Sequence, residues 1–147
     1  MSRPTDLANP PAPVGNYEPY VRHEELVAIS GISSARDGDM ITGKVGRDLS
    51  LDQGCEAARR AAENLLAVLF DAAGGNDGAI RQILLVRGQV NSSDDFAQVH
   101  KVIDAASDLL IERLGERGHH ARTAVGCSTL PNNNAVTLEA LAIVARA

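Results

Sequence analysis

Two stretches of the chain carry apolar residues at helical spacing. In the first, Leu51, Cys55, Ala58, Ala62, Leu65, Leu66 and Leu69 fall on one face of a 3.6-residue period. Ser50-Leu-Asp-Gln53 precedes the stripe as a capping-box pattern, and Gly74-Gly75 follows it as a left-handed stop. The spacing predicts a helix over about 51–73. In the second stretch the stripe is Phe96, Val99, Ile103, Ala106, Leu110 and Leu114. This helix is predicted to start near Ser92-Ser93, with Asp94 and Asp95 favouring the dipole of its first turn, and to end over Gly115 to Gly118.

The remaining apolar runs are short and read as strands. Tyr17 to Ser30 holds the first of them, with Glu25-Leu-Val-Ala-Ile-Ser30 closed by Gly31. Arg36-Asp-Gly38 is a turn signal, and a further short strand is predicted near Met40–Val45. Ile80 to Val90 has little polarity on either face, as expected of a central strand. Arg122 to Thr129 and Val136 to Val144 flank the turn-forming cluster Leu130-Pro-Asn-Asn-Asn134, which predicts a C-terminal hairpin. The expected order is β-β-β-α-β-α-β-β, an α+β domain with both helices on one face of the sheet. Val86, Val125 and Leu138 cannot all lie beneath two helices, so the other face is expected to be buried by self-association.

Composition sharpens this picture. At 147 residues the chain has the size of one domain and buries a core without staples. Aromatic residues make up only 3%, so the core rests on Leu, Val, Ile and Ala. Pro4, Pro10, Pro11 and Pro13 crowd the first residues, and 1–14 is expected to be an extended or disordered arm ahead of a domain over 15–147. The net charge is -5 and no basic run occurs, which argues against nucleic acid as the main partner. No apolar stretch is long enough for a membrane span and the N-terminus has no apolar signal core, so the cytoplasm is the expected compartment. Cys55 and Cys127 have no CxxC spacing, and His23, His100, His119 and His120 pair with nothing at metal spacing. Nucleotide and nucleophile-elbow motifs are missing. No metal site and no nucleotide site are expected.

Arg122 is the residue most in need of explanation. It enters a strand among Ala121, Ala124, Val125 and Gly126, where a guanidinium requires a partner. A structural ion pair and a bound carboxylate both satisfy that need, and composition alone favours the ion pair.

Several segments, taken in order, resemble the YjgF/RidA family. They are Gly15-Asn-Tyr17 with Ser30-Gly31, the helix Ala57-Ala-Arg-Arg-Ala-Ala-Glu-Asn64-Leu-Leu, and Val90-Asn-Ser-Ser-Asp-Asp-Phe96. The most specific is Ala121-Arg122-Thr-Ala-Val125, then Leu130-Pro131, then Leu138-Glu-Ala140. The resemblance implies a chorismate-mutase-like fold and a homotrimer whose sheets face a central barrel, with clefts between protomers. It implies cofactor-free hydrolysis of enamines and imines of amino acids to 2-keto acids and ammonia, as by a 2-iminobutanoate/2-iminopropanoate deaminase. Arg122 stands at the family's carboxylate-binding arginine. Tyr17, Ser30 and Gly31 stand at cleft positions, and Ala124 at a position that offers its backbone. Two departures mark a divergent branch: Thr137 replaces the family's water-positioning glutamate, with Glu139 at a second glutamate position, and His100 replaces a helix-start asparagine. A weaker deaminase is therefore expected, and the alternative is a non-catalytic trimer that binds a small carboxylate metabolite.

Overall fold

The computed structural model describes residues 6–146. Two short strands, β1 (Tyr20–His23) and β2 (Leu26–Ile32), lead through a long loop to helix α1 (Leu51–Ala72). Strand β3 (Ile80–Asn91), helix α2 (Val99–Leu114), β4 (Ala121–Cys127) and β5 (Val136–Val144) complete the chain. The sheet order is β1-β2-β5-β3-β4, with β3 and β4 parallel and the other neighbours antiparallel. This is the expected α+β arrangement of two helices on a mixed sheet.

Helix α1 is capped as its sequence dictates. The Ser50 hydroxyl accepts from the Gln53 amide, and the Gln53 side chain accepts from the Ser50 amide. Gly74 and Gly75 follow with positive φ. Ala57, Ala58, Ala61 and Ala62 are fully buried, so the helix lies close to the sheet. Helix α2 approaches closely for a related reason. A Cβ on Gly88 of β3 would meet Ile103 at 2.6 to 2.8 Å, so Gly88 leaves the space that the Ile103 side chain fills.

Three expectations are corrected. First, β4 and β5 do not form a hairpin, because β3 lies between them and pairs with both. The β3-α2-β4 crossover carries β4 to the sheet edge, and the segment after it returns the chain to the far side of β3. Second, no strand forms over Met40–Val45, so only two strands precede α1. Gly43 and Gly46 have φ of 120° and 95°, which breaks the extended run into isolated bridges from Thr42 to Asn134 and from Val45 to Ser92. Third, α2 begins at Val99, with Gln98 as an N-cap that makes no side-chain hydrogen bond. Ser93 is diverted: its amide donates to the Val45 carbonyl and its hydroxyl to Asp95, so neither it nor the two aspartates start the helix.

Register assigns the paired strand residues to a face. Val86 and Leu138 lie beneath the helices and are fully buried, whereas Val125 is 43% exposed on the opposite, open face. The aligned row Ala28, Leu141, Leu85 and Ala121 crosses the open face from β2 to β4. Asp6 pairs with Arg113 at 3.0 Å and Leu7 is buried in the core, so the segment before β1 packs against the domain. Residues 1–5 of the expected arm, Pro4 among them, lie outside the described residues. No helix among the described residues is long and apolar enough to cross a membrane.

Candidate functional site

A cleft of about 680 Å³ opens at one end of the open face. Strands β2 and β5 place Ser30, Gly31, Thr137 and Glu139 in it, and Gln89 comes from β3. Pro11 to Val14 and Tyr17 form one wall, and Pro131, Asn132 and Asn134 another. Five of the seven predicted site residues, Tyr17, Ser30, Gly31, Thr137 and Glu139, therefore line one cavity.

Local bonding holds each of these groups. The Ser30 hydroxyl donates to the Glu18 carbonyl at 2.6 Å, tying β2 to the entering chain. The Tyr17 hydroxyl accepts from the Val14 amide at 3.4 Å, which folds the phenol back along the arm. A Cβ on Gly31 would stand 3.0 Å from the Thr137 methyl, so a larger residue there would press on that threonine. Thr137 accepts from the Asn134 side-chain amide at 2.7 Å, which leaves its own proton to donate into the cleft. Glu139 pairs with Arg87 at 3.3 Å, both about half exposed on the open face.

The loops around the cleft are fixed by buried asparagines. Asn64 on α1 is 1% exposed and donates to the Ser33 and Ala35 carbonyls at 2.8 and 2.9 Å. Asn91 donates to the Asn133 side-chain oxygen at 3.0 Å and accepts from Lys44 at 2.9 Å. That bond steadies a turn in which Asn132 and Asn133 both have positive φ. Replacing Asn64 by Ala strands two carbonyls and is expected to cost about 2 kcal/mol. Denaturant unfolding measures it, and a loss below about 0.5 kcal/mol would mean that Asn64 does not hold this wall.

Arg122 and Ala124 do not enter this cleft. They align with Val86 and Gly88 on β3, and through them with Ala140 and Leu138, so they belong to the helix face. Thr137 and Glu139 align with Gln89 and Arg87, on the open face. Within one chain the fork and the cleft are on opposite sides of one sheet. The Arg122 guanidinium meets α2 instead: Nη1 donates to Asp104 at 2.7 Å and to the Ser107 hydroxyl at 3.2 Å, and Nη2 donates to the His100 carbonyl at 3.4 Å. A guanidinium has five donors; three are engaged, leaving two. The Asp104 carboxylate is itself half exposed.

The sequence reading missed this seat. His100, Asp104 and Ser107 recur at helical spacing on one side of α2, a polar stripe beside the apolar one, and that spacing was the available signal. His120 also joins it. Its Nδ1 lies 2.6 Å from the Gly118 carbonyl and its Nε2 2.9 Å from the Ser107 hydroxyl. His100 contributes only its backbone carbonyl, and its side chain is exposed. Burial holds the Cys55 thiol above its usual range, and the Asp52 and Asp104 carboxylates add to the effect, so it is not a ready thiolate.

A family model described as YjgF/chorismate mutase-like, putative endoribonuclease, matches residues 3–144. The chain belongs to this family. Protein TCP17 of Trypanosoma cruzi is 36% identical over 132 residues, covering 88% of this chain and 82% of the relative. The solved structure of Atu1372 from Agrobacterium tumefaciens is 36% identical with a TM-score of 0.87, over 92% of this chain and 87% of that one. A protein from Shewanella oneidensis described as a putative endoribonuclease is 31% identical with a TM-score of 0.90, over 95% of this chain and 92% of that one. The Escherichia coli YjgF product aligns over 97% of this chain and 98% of its own, at 21% identity and a TM-score of 0.66, and shows the shared fold alone. The chain thus stands nearer to the Atu1372 and Shewanella proteins than to that YjgF product, as a divergent member would.

Proposed function

We propose that this protein binds a small 2-imino or 2-keto carboxylate in a cleft shared between neighbouring copies of a homotrimer, and hydrolyses the imine form to a 2-keto acid and ammonia. The observation that carries the reading is the division of the site across the sheet. The cleft gathers hydroxyl, amide and carboxylate groups, yet none of its lining residues is Lys or Arg. The same chain presents a guanidinium with unengaged donors on its other face, near the β4 edge. A cyclic assembly brings the fork of one copy to the cleft of the next, and the apolar open face supplies the surface for it.

In this arrangement Arg122 of one protomer holds the substrate carboxylate, and the backbone at Ala124 orients the imine nitrogen. Ser30, Gly31 and Tyr17 of the neighbour close around the substrate body. Water adds to the imine carbon, forming the C–O bond while the π electrons move to nitrogen. Nitrogen takes one proton from that water, giving a carbinolamine; its hydroxyl proton then passes to nitrogen as the C=O bond forms, the C–N bond breaks, and nitrogen leaves as ammonia. The rate gain comes from holding water and substrate together, because imines already hydrolyse unaided. Thr137 positions the water through its hydroxyl but is no general base near neutral pH, and Glu139, the carboxylate among the cleft's lining residues, is the candidate proton acceptor.

A second reading, binding without catalysis, draws on the Arg87–Glu139 ion pair, which ties down the carboxylate that would accept that proton. One assay separates the two. 2-Aminoacrylate is generated by a dehydratase, and its decay is followed with and without this protein. Acceleration that disappears in Arg122→Ala supports the hydrolase. No acceleration, with Arg122-dependent binding of a 2-keto acid, leaves the binder. A ribonuclease reading fits poorly, since a phosphate backbone would meet no Lys or Arg among the residues lining the cleft.

A further inference from the structure

The Arg122 seat continues past the fork into a hydrogen-bonded chain with a fixed direction. A carbonyl oxygen can only accept, so the 2.6 Å contact to Gly118 places a proton on Nδ1 of His120. Burial lowers the His120 pKa below the ordinary imidazole value. The Gly118 bond opposes that effect, while the charges of Arg122 and His119 add to it. The ring is therefore neutral near pH 7, and Nε2 is left with a lone pair toward the Ser107 hydroxyl at 2.9 Å. Ser107 donates its only proton there. Its oxygen is then turned to accept from Arg122 Nη1, which it does at 3.2 Å.

With Asp104 on the other Nη1 proton and the His100 carbonyl on Nη2, the guanidinium plane is held at three points. The donors left over are the Nε proton and one on Nη2, neighbouring nitrogens through which a guanidinium can meet a carboxylate bidentately. Without the lone pair on His120, the Ser107 hydroxyl has no fixed orientation. Nη1 would then be held by the half-exposed Asp104 alone.

We propose that His120, acting through Ser107, is a positioning residue that sets the Arg122 fork to receive a carboxylate. It touches no substrate itself. The proposal rests on the carboxylate-binding reading of Arg122, and the test separates the two. Titration calorimetry with 2-oxobutanoate is run on the full-length protein and on the variants Arg122→Ala, His120→Phe, His120→Gln and Ser107→Ala, with thermal unfolding measured on each.

The Phe variant keeps the ring's bulk without the acceptor, and the Gln variant keeps an acceptor of similar reach. Binding in His120→Phe and Ser107→Ala is expected to weaken about tenfold, the loss of one hydrogen bond to a charged group. His120→Gln is expected to stay within about twofold of the parent, by the same reasoning. Because Gln rescues and Phe does not, at similar melting temperatures, the loss would not be one of stability. Binding that is lost in Arg122→Ala but kept in His120→Phe overturns the positioning role alone. Equal weakening in the Gln and Phe variants also overturns it. If the parent shows no Arg122-dependent binding, the carboxylate reading fails and takes this proposal with it.

Discussion

Arg122→Ala is expected to weaken 2-keto acid binding by about tenfold to a hundredfold, and to remove the acceleration of 2-aminoacrylate decay. A hydrogen bond to a charged group is worth about 1.5–3 kcal/mol, and each 1.4 kcal/mol is a factor of ten in affinity. The cleft has no second cation among its lining residues to take over. Stability should change little by comparison. The ion pair to Asp104 is half exposed on the acid's side, and exposed pairs of this kind contribute about 1 kcal/mol or less. Arg122→Lys is the sharper control, because it keeps the charge and loses the planar fork. Lys that binds as well as Arg would show that the anchor is only a point charge, and Ala that binds as well as either would remove Arg122 from the site.

Gly118→Ala is expected to cost about 3 kcal/mol in stability, a melting-temperature drop of about 10 °C for a chain of this size. A Cβ at this position would run into the Leu110 carbonyl group, coming within 2.8 Å of its carbon and 2.9 Å of the Ile111 Cα. These are backbone atoms of the last turns of α2, and no rotamer change can move them aside. Gly115 supplies the comparison. It has φ of 63° with nothing near its would-be Cβ, so Gly115→Ala carries backbone strain alone, about 1 kcal/mol. Thermal unfolding that ranks Gly115→Ala below Gly118→Ala would contradict this account. The Gly118 substitution also displaces the carbonyl that orients His120, so ligand binding should fall along with stability.

Much of the fold is legible in the sequence. Helix α1 and strand β5 were legible because their apolar periods run unbroken between clear stops, Ser50 to Gly74 for one and Asn134 to Val144 for the other. The hairpin was misread because a turn-forming cluster reports that the chain reverses, not which strand it returns to. Non-local pairing with β3 decided that. Likewise, Ser93 has the chemistry of a helix cap, but a bond to Val45, far away in sequence, claimed it first. The site was legible in halves. Tyr17, Ser30, Gly31, Thr137 and Glu139 were named from a resemblance and do share a cavity. The seat of Arg122 was not named, since Asp104 is 18 positions from it and only the depth of Ile103 against Gly88 sets α2 low enough to reach the fork.

The start of the chain has a practical bearing on any binding measurement. From Asp6 at the end of α2, past buried Leu7, to Val14 at the cleft mouth, this ribbon is anchored at one end and forms cavity wall at the other. Its prolines were stiff before folding, so holding that wall in place forfeits little disorder. An affinity tag fused ahead of Met1 would precede the very segment that walls the cleft, and ligand selectivity should be compared with the tag removed.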